Sequence, residues 1–277
     1  TLLVDGNTVT GYQRSGLYFD DYIEYGATCR ITNNTFQSDL AAGSPHGINI
    51  SDTLRYGADL VIGGNTIEGY DEYGVEISDL ADGSSAVVEG NSMTARPSSS
   101  LGYGVYVGDV DTGSYLWVRD NAIDANNGPE DAIYVHYVGN GSTAEIRRNA
   151  CVNYRNAGVY IDGDIEQGGA VYISENTLEA AASISSYYGI YLAGDVVYGA
   201  YLECVGNVIS GFRDFGVHTK SIYHSDIVCD DNVVSGAAAG ADYGVYVADE
   251  IEYGVFFSSI SKNTISGVRD DGGAMVG

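Results

Sequence analysis

The chain has 277 residues, 44% of them hydrophobic, and its 38 acidic residues stand against 12 basic ones for a net charge of −26. A field of that sign repels nucleic acid and anionic membranes, which argues against a role on either. No apolar run approaches the roughly 18 residues that span a bilayer, while 38 Gly and 24 Tyr against two Met point to β structure, because Tyr suits pleated surfaces and Gly punctuates them.

The first winding reads TLLVDGNTVTGYQRSGLYFD. An alternating run carries Val4 inward, an Asn follows at position 7, a second run carries Val9, and after GYQRSG a third run places Leu17 and Phe19 on one side and Tyr18 on the other. The same phrase then returns along the whole chain. The Asn recurs at Asn7, Asn34, Asn65, Asn91, Asn121, Asn149, Asn176, Asn207, Asn232 and Asn263, at intervals of 25 to 31 residues. Three residues before each stands Val4, Ile31, Ile62, Val88, Val118, Ile146, Ile173, Cys204, Cys229 or Ile260. Two residues after each comes Val9, Phe36, Ile67, Met93, Ile123, Cys151, Leu178, Ile209, Val234 or Ile265. Apolar pairs such as Ile48/Ile50, Val75/Ile77, Val105/Val107 and Val159/Ile161 repeat the third run.

Alternation with period two indicates half-buried strands, and a fixed repeat of this length indicates a solenoid. The expected fold class is all-β, a right-handed single-stranded parallel β-helix of about ten coils with three strands per coil, forming one domain over residues 1–277. At about 4.8 Å per stacked strand it makes a rod of roughly 45–50 Å. The Asn column is expected at the bend between the run before it and the run after it, in the left-handed conformation that Asn tolerates, with its amides joined from coil to coil.

With these columns the sequence resembles the right-handed parallel β-helix repeat proteins, the broad group that includes pectate lyases and phage tailspikes. The resemblance covers the whole chain and implies the fold. That fold hosts lyases, hydrolases, adhesins and inert spacers alike, so function must be argued from sites.

The connection from the second run to the next Gly alternates between short forms (GYQRSG, GYDEYG, NYRNAG, GFRDFG, GVRDDG) and longer ones that hold Pro45, Pro97 and Pro129. The excursions add only about four residues, which argues for a plain rod. The first residues carry no charged-then-apolar signal segment, and both ends read as interrupted coils. The expectation is a piece of a longer chain or an end-to-end assembly.

Cys29, Cys151, Cys204 and Cys229 occupy aliphatic positions and read as small core residues. Cys204 and Cys229 also fall in one column of adjacent coils, where a bridge is the alternative. The outward column Tyr18, Asn49, Glu76, Tyr106, Tyr134, Tyr160, Tyr191, His218 and Tyr246 reads either as cross-strand stacking or as a sugar-binding stripe through Tyr106, Tyr134, Tyr160, Tyr191 and Tyr246. Asp20, Asp21, Asp162, Asp164, Asp195 and Asp249 line one edge and are candidate Ca²⁺ ligands, although no cofactor is required; a solvated acidic edge is the alternative. An enzymatic alternative rests on Arg213, His218 and Lys220. The resemblance to polysaccharide lyases implies a base whose pKa is lowered, but Lys220 between Asp195 and Asp249 is expected to stay charged.

The sequence reading is therefore an extracellular or cell-surface structural or adhesive rod, non-catalytic, whose partners are glycans or further copies of itself. The alternative is a polysaccharide lyase or glycoside hydrolase.

Overall fold

The structure is a computed structural model that describes the chain outside residues 40–44, 98–101, 127, 129, 182–185, 238–239, 253–257, 270–273 and 277; for 252, 258 and 274–276 it describes the backbone alone. Pro129 and parts of the longer connections lie outside the described residues.

Because every run alternates, each coil can bury one face of three short strands. The described residues form three parallel sheets of ten strands each. The first sheet starts with Leu2–Asp5 and Thr28–Thr32, the second with Thr8–Tyr12 and Thr35–Ser38, the third with Ser15–Phe19 and His46–Ile50. Each strand pairs with its equivalent one coil on, so inward columns are continuous. Val4 faces Ile31 and Ile31 faces Ile62 in the first sheet, Val9 faces Phe36 in the second, and Leu17 faces Ile48 in the third. A further apolar column closes the core beyond the third sheet, through bridges from Ile23 to Leu54, Leu80 and Val110 and from Val138 to Ile165 and Val196. In the last coils it widens into a narrow sheet of Val196–Val197, Ile222–Tyr223 and Ile251–Glu252.

The Asn column lies, as expected, at the corner between the run before it and the run after it, which are the first and second sheets, but its backbone is not the left-handed element. That conformation falls one residue earlier, at Gly6, Asn33, Gly64, Gly90, Asp120, Arg148, Glu175, Gly206, Asp231 and Lys262, with φ between 53° and 67°. The reason is directional. The Asn amide must point into the core to meet its neighbours, so the residue before it absorbs the bend. Non-Gly residues tolerate the strain because the stacked corner over-determines it; Asp120 N–H, for example, donates to Arg147 O at 3.1 Å.

Each ladder amide is doubly used. Asn91 donates from its backbone N and from Nδ2 to Asn121 Oδ1, both at 3.0 Å, and its Nδ2 also donates to Ile62 O at 2.9 Å. The same three bonds recur at each step from Asn34 to Asn232, and those from Asn to Asn begin at Asn7. The column from Asn34 to Asn232 is buried throughout.

The alternation of connection lengths has a packing cause. In the short connections a positive-φ residue (Gly11, Gly69, Asn153, Gly211) turns the next side chain inward. That side chain is Tyr12, Tyr70, Tyr154 or Phe212, and the last three are fully buried. Across the sheet Tyr12 pairs with Ser38, Tyr70 with Ala95 and Tyr154 with Ala180, with register shifts at the same points. Large rings therefore lie over small side chains of the next coil.

Entry to the third sheet is tight, and glycine stands there in the coils around Ala132. A Cβ on Gly74 would stand 2.6 Å from Gly104 O and 3.1 Å from Met93 Sδ, and one on Gly104 would stand 2.6 Å from Ala132 O.

Asn121→Ala removes the acceptor of Asn91 N, one of the two bonds of Asn91 Nδ2 and the Nδ2 donor to Val88 O and Asn149 Oδ1 in a dry corner, and is expected to cost about 3–5 kcal/mol. Gly74→Ala is expected to cost about 1–3 kcal/mol through overpacking. Urea unfolding measures both, and values within about 0.5 kcal/mol of wild type would contradict the packing described.

Candidate functional site: the aromatic face of the third sheet

In the third sheet the residues between the inward pairs face solvent, and register sets them in one line. Tyr106 faces Tyr134, Tyr134 faces Tyr160, Tyr160 faces Tyr191, Tyr191 faces His218 and His218 faces Tyr246. A second aromatic column that the sequence reading did not anticipate runs beside it: Tyr73, Tyr103, Tyr188, Phe215 and Tyr243. Its signal was present as an aromatic residue directly before the third-sheet glycine, in Tyr73-Gly74, Tyr103-Gly104, Tyr188-Gly189, Phe215-Gly216 and Tyr243-Gly244.

The two columns interlock. Tyr73 stacks on Tyr103 with centroids 5.7 Å apart, Tyr103 reaches Tyr134 at 4.8 Å, and Tyr106 lies nearly parallel to Tyr134 at 5.0 Å. The contact passes through Tyr160 and Tyr191 at 5.1 Å, then through Tyr188 and Phe215 at 5.8 Å to Tyr243 at 5.6 Å. From Tyr73 to Tyr246 this is six steps between seven rungs, or about 29 Å of unbroken aromatic surface. Most of its rings are partly exposed, whereas Tyr134 is 7% exposed and forms part of the floor.

Phenol hydroxyls anchor to the acidic edge. Tyr134 OH donates to Asp162 Oδ2 and Tyr160 OH to Asp162 Oδ1, each at 2.8 Å, and Tyr18 OH donates to Asp20 Oδ1 at 2.9 Å. Burial, followed by the charge of Glu76, pushes the Tyr73 phenol up to about 12, so it remains a neutral donor. Other acids of the edge join coils: Asp195 N–H donates to Asp164 Oδ1 at 2.7 Å, and Ser221 N–H to Asp195 Oδ1 at 3.3 Å. Asp21 Oδ1 accepts from Tyr22 N–H at 2.8 Å, and Asp249 contributes charge beside His218. Among the described residues no three His, Cys, Asp or Glu side chains are grouped so as to hold a metal ion.

The basic residues of the eighth coil engage different partners. Arg213 Nε donates to Asp214 Oδ1 at 2.8 Å and its guanidinium carbon lies 4.5 Å from the Tyr187 ring centroid. Lys220 Nζ lies 3.4 Å from Asp195 Oδ1. His218 belongs to the stripe, 4.8 Å from Tyr191 and 5.5 Å from Tyr246, and burial holds its pKa below the ordinary value. All four cysteines are buried and free, with Cys204 in register against Cys229. Burial pushes the Cys229 thiol up to about 12, which leaves it unreactive.

Two titratable side chains stand where other coils carry rings. His46 is set with Nε2 2.7 Å from Glu72 Oε2 and Nδ1 2.9 Å from Glu76 Oε2. Burial opposes its charge, but the hydrogen bonds and charges of Glu76 and Glu72 prevail and its pKa is raised. Asp131, paired in register with Tyr103, is 1% exposed. Its Oδ1 accepts from Ala157 N–H at 2.8 Å and from Asn156 Nδ2 at 2.9 Å, whereas Oδ2 has no partner. Burial pushes its carboxyl up to about 8 against these two bonds, with Glu130 and Asp162 adding to the rise.

A carboxyl raised in this way favours the folded state fully below its unfolded pKa, about 4, and that contribution is lost as pH rises to about 8. Asp131→Asn keeps the Oδ1 acceptor and removes the titration. Relative to wild type it should gain up to about 1.4 kcal/mol of stability per pH unit between those limits and level off above them. Urea titrations of both proteins across that range test this, and a difference that does not change with pH would refute it.

Comparison with the curated proteins and with solved structures gave no match. The family described as the right-handed β-helix region matches residues 1–178, well over half of the chain. Together with the three parallel sheets this assigns the chain to the right-handed β-helix family.

Proposed function

We propose that this protein is a rigid extracellular rod that binds saccharides along the aromatic face of its third sheet, without catalysing their cleavage. The observation that carries the reading is the unbroken path of ring contacts, crossing between the two columns, from Tyr73 to Tyr246. A flat aromatic surface suits the apolar faces of pyranose rings, and its phenols and bordering carboxylates supply hydrogen-bond partners for hydroxyls. A stacked parallel sheet holds such a surface with little conformational freedom, which lowers the ordering cost of binding. The net charge of −26 favours solubility in an exposed setting.

The enzymatic alternative draws no support from the eighth coil. Arg213 and Lys220 are each ion-paired, and His218 lies tilted between two tyrosines.

A panel of immobilised glycans, followed by calorimetry on those retained, tests the proposal. Tyr191→Ala and Tyr106→Ala are expected to weaken binding at least tenfold, roughly 1.4 kcal/mol, while leaving the melting temperature within a few degrees. Bound glycans are expected to be recovered uncleaved. Retention that is indifferent to both substitutions would refute the stripe, and new reducing or unsaturated ends would refute the non-catalytic reading.

A further inference from the structure

At the second and third coils the stripe changes character. Its outward column there holds Asn49 and Glu76 instead of rings, with Tyr18 before them and Tyr106 after them. The neighbouring column holds His46, whose ring lies 4.9 Å from Tyr73. These side chains form one cluster. His46 bridges Glu72 and Glu76, and Asn49 Nδ2 donates to Glu76 Oε2 and lies 3.1 Å from His46 Nδ1. Asn49 is 7% exposed and its Oδ1 has no hydrogen-bond partner. A buried acceptor left in that state is a place where an added donor gains a full hydrogen bond.

The electrostatics restrict what that donor belongs to. With His46 charged, the cluster carries one positive and two negative groups. Glu76 acts on the Tyr106 phenol together with Asp79, Asp109 and Asp162. A ligand carboxylate laid on this end would meet several fixed negative charges across a poorly screened surface. A neutral hydroxyl would meet carboxylate acceptors and an unfilled amide oxygen.

We propose that His46, Asn49, Glu72 and Glu76 form the polar subsite of the stripe, which grips the hydroxyls of a neutral saccharide and rejects uronates. The inference rests on the saccharide-binding reading and adds to it the ligand class and the point at which that class is selected. The rings farther along supply stacking to any pyranose, while the cluster supplies direction and selectivity.

The test uses the whole chain and three hexasaccharides, a β-1,4-glucan, a β-1,4-mannan and an α-1,4-galacturonan, each titrated calorimetrically at low and at physiological salt. At least one neutral hexasaccharide should bind more than tenfold tighter than the galacturonan. Glu72→Gln and Asn49→Leu should each weaken the neutral ligand five- to tenfold, and the double variant Glu72→Gln/Glu76→Gln should narrow the preference over the galacturonan. Circular dichroism and melting curves establish that each variant is folded, and Glu72, the most exposed of the acids in the cluster, supplies a variant with little packing to lose. Galacturonan binding as tight as the neutral ligands, or cluster variants that bind like wild type while Tyr191→Ala does not, would overturn the subsite and leave the stripe intact. Binding of none of the three at millimolar concentration would overturn the subsite too, and the glycan panel would then decide whether the stripe itself stands.

Discussion

The whole molecule depends on the buried amide chain at the corner between the first and second sheets. Each Asn oxygen accepts two N–H groups from the preceding coil, and each Nδ2 donates both forward to an amide and back to a carbonyl. A coil that slipped by one residue would leave these groups orphaned in a dry interior, at about 1–3 kcal/mol apiece. Register is therefore locked at one corner, and it propagates through the hydrogen-bonded strands to the other two sheets.

Locked register creates the outward columns as much as the inward ones. Once Ile48 must stack on Val75 and Val105, the residues between them must stack as well. A column of like residues then behaves as a single surface. With Tyr the result is a cohesive aromatic face, since offset and tilted rings attract. With Asp the result would be repulsive, and the structure relieves it by giving carboxylates specific donors: backbone N–H of the next coil at Asp164 and Asp195, and two phenols at Asp162. The acidic edge thus contributes to coil cohesion while keeping the surface strongly negative.

Packing adds a second constraint to the first. At this corner a ring in one coil meets a small side chain in the next, Tyr12 against Ser38, Tyr70 against Ala95 and Tyr154 against Ala180. A positive-φ residue turns each ring inward, and those are coils with the short connections. Loop length, which looks like a surface property, follows here from core volume.

The solenoid, its strands and the Asn column were legible in the sequence because each depends on a periodicity that local chemistry enforces: alternation for burial and recurrence for stacking. The outward tyrosines at 106, 134, 160, 191 and 246 were legible for the same reason, since parity alone places them. Other features required the assembled fold. That the left-handed bend falls one residue before each Asn depends on where the amide must point. That His218 and Lys220 engage Tyr191 and Asp195 of the preceding coil, apart from the Arg213–Asp214 pair, depends on distances between coils. The second aromatic column, the buried Asp131 and the grouping of His46 with Glu72 and Glu76 arise between coils some 25 to 30 residues apart. Sequence by itself determined which side chains face in and which face out, since that follows from each strand's own pleat. Only the tertiary structure decided which of them meet and which charges they hold, because hydrogen bonding and desolvation depend on neighbours supplied by the next coil.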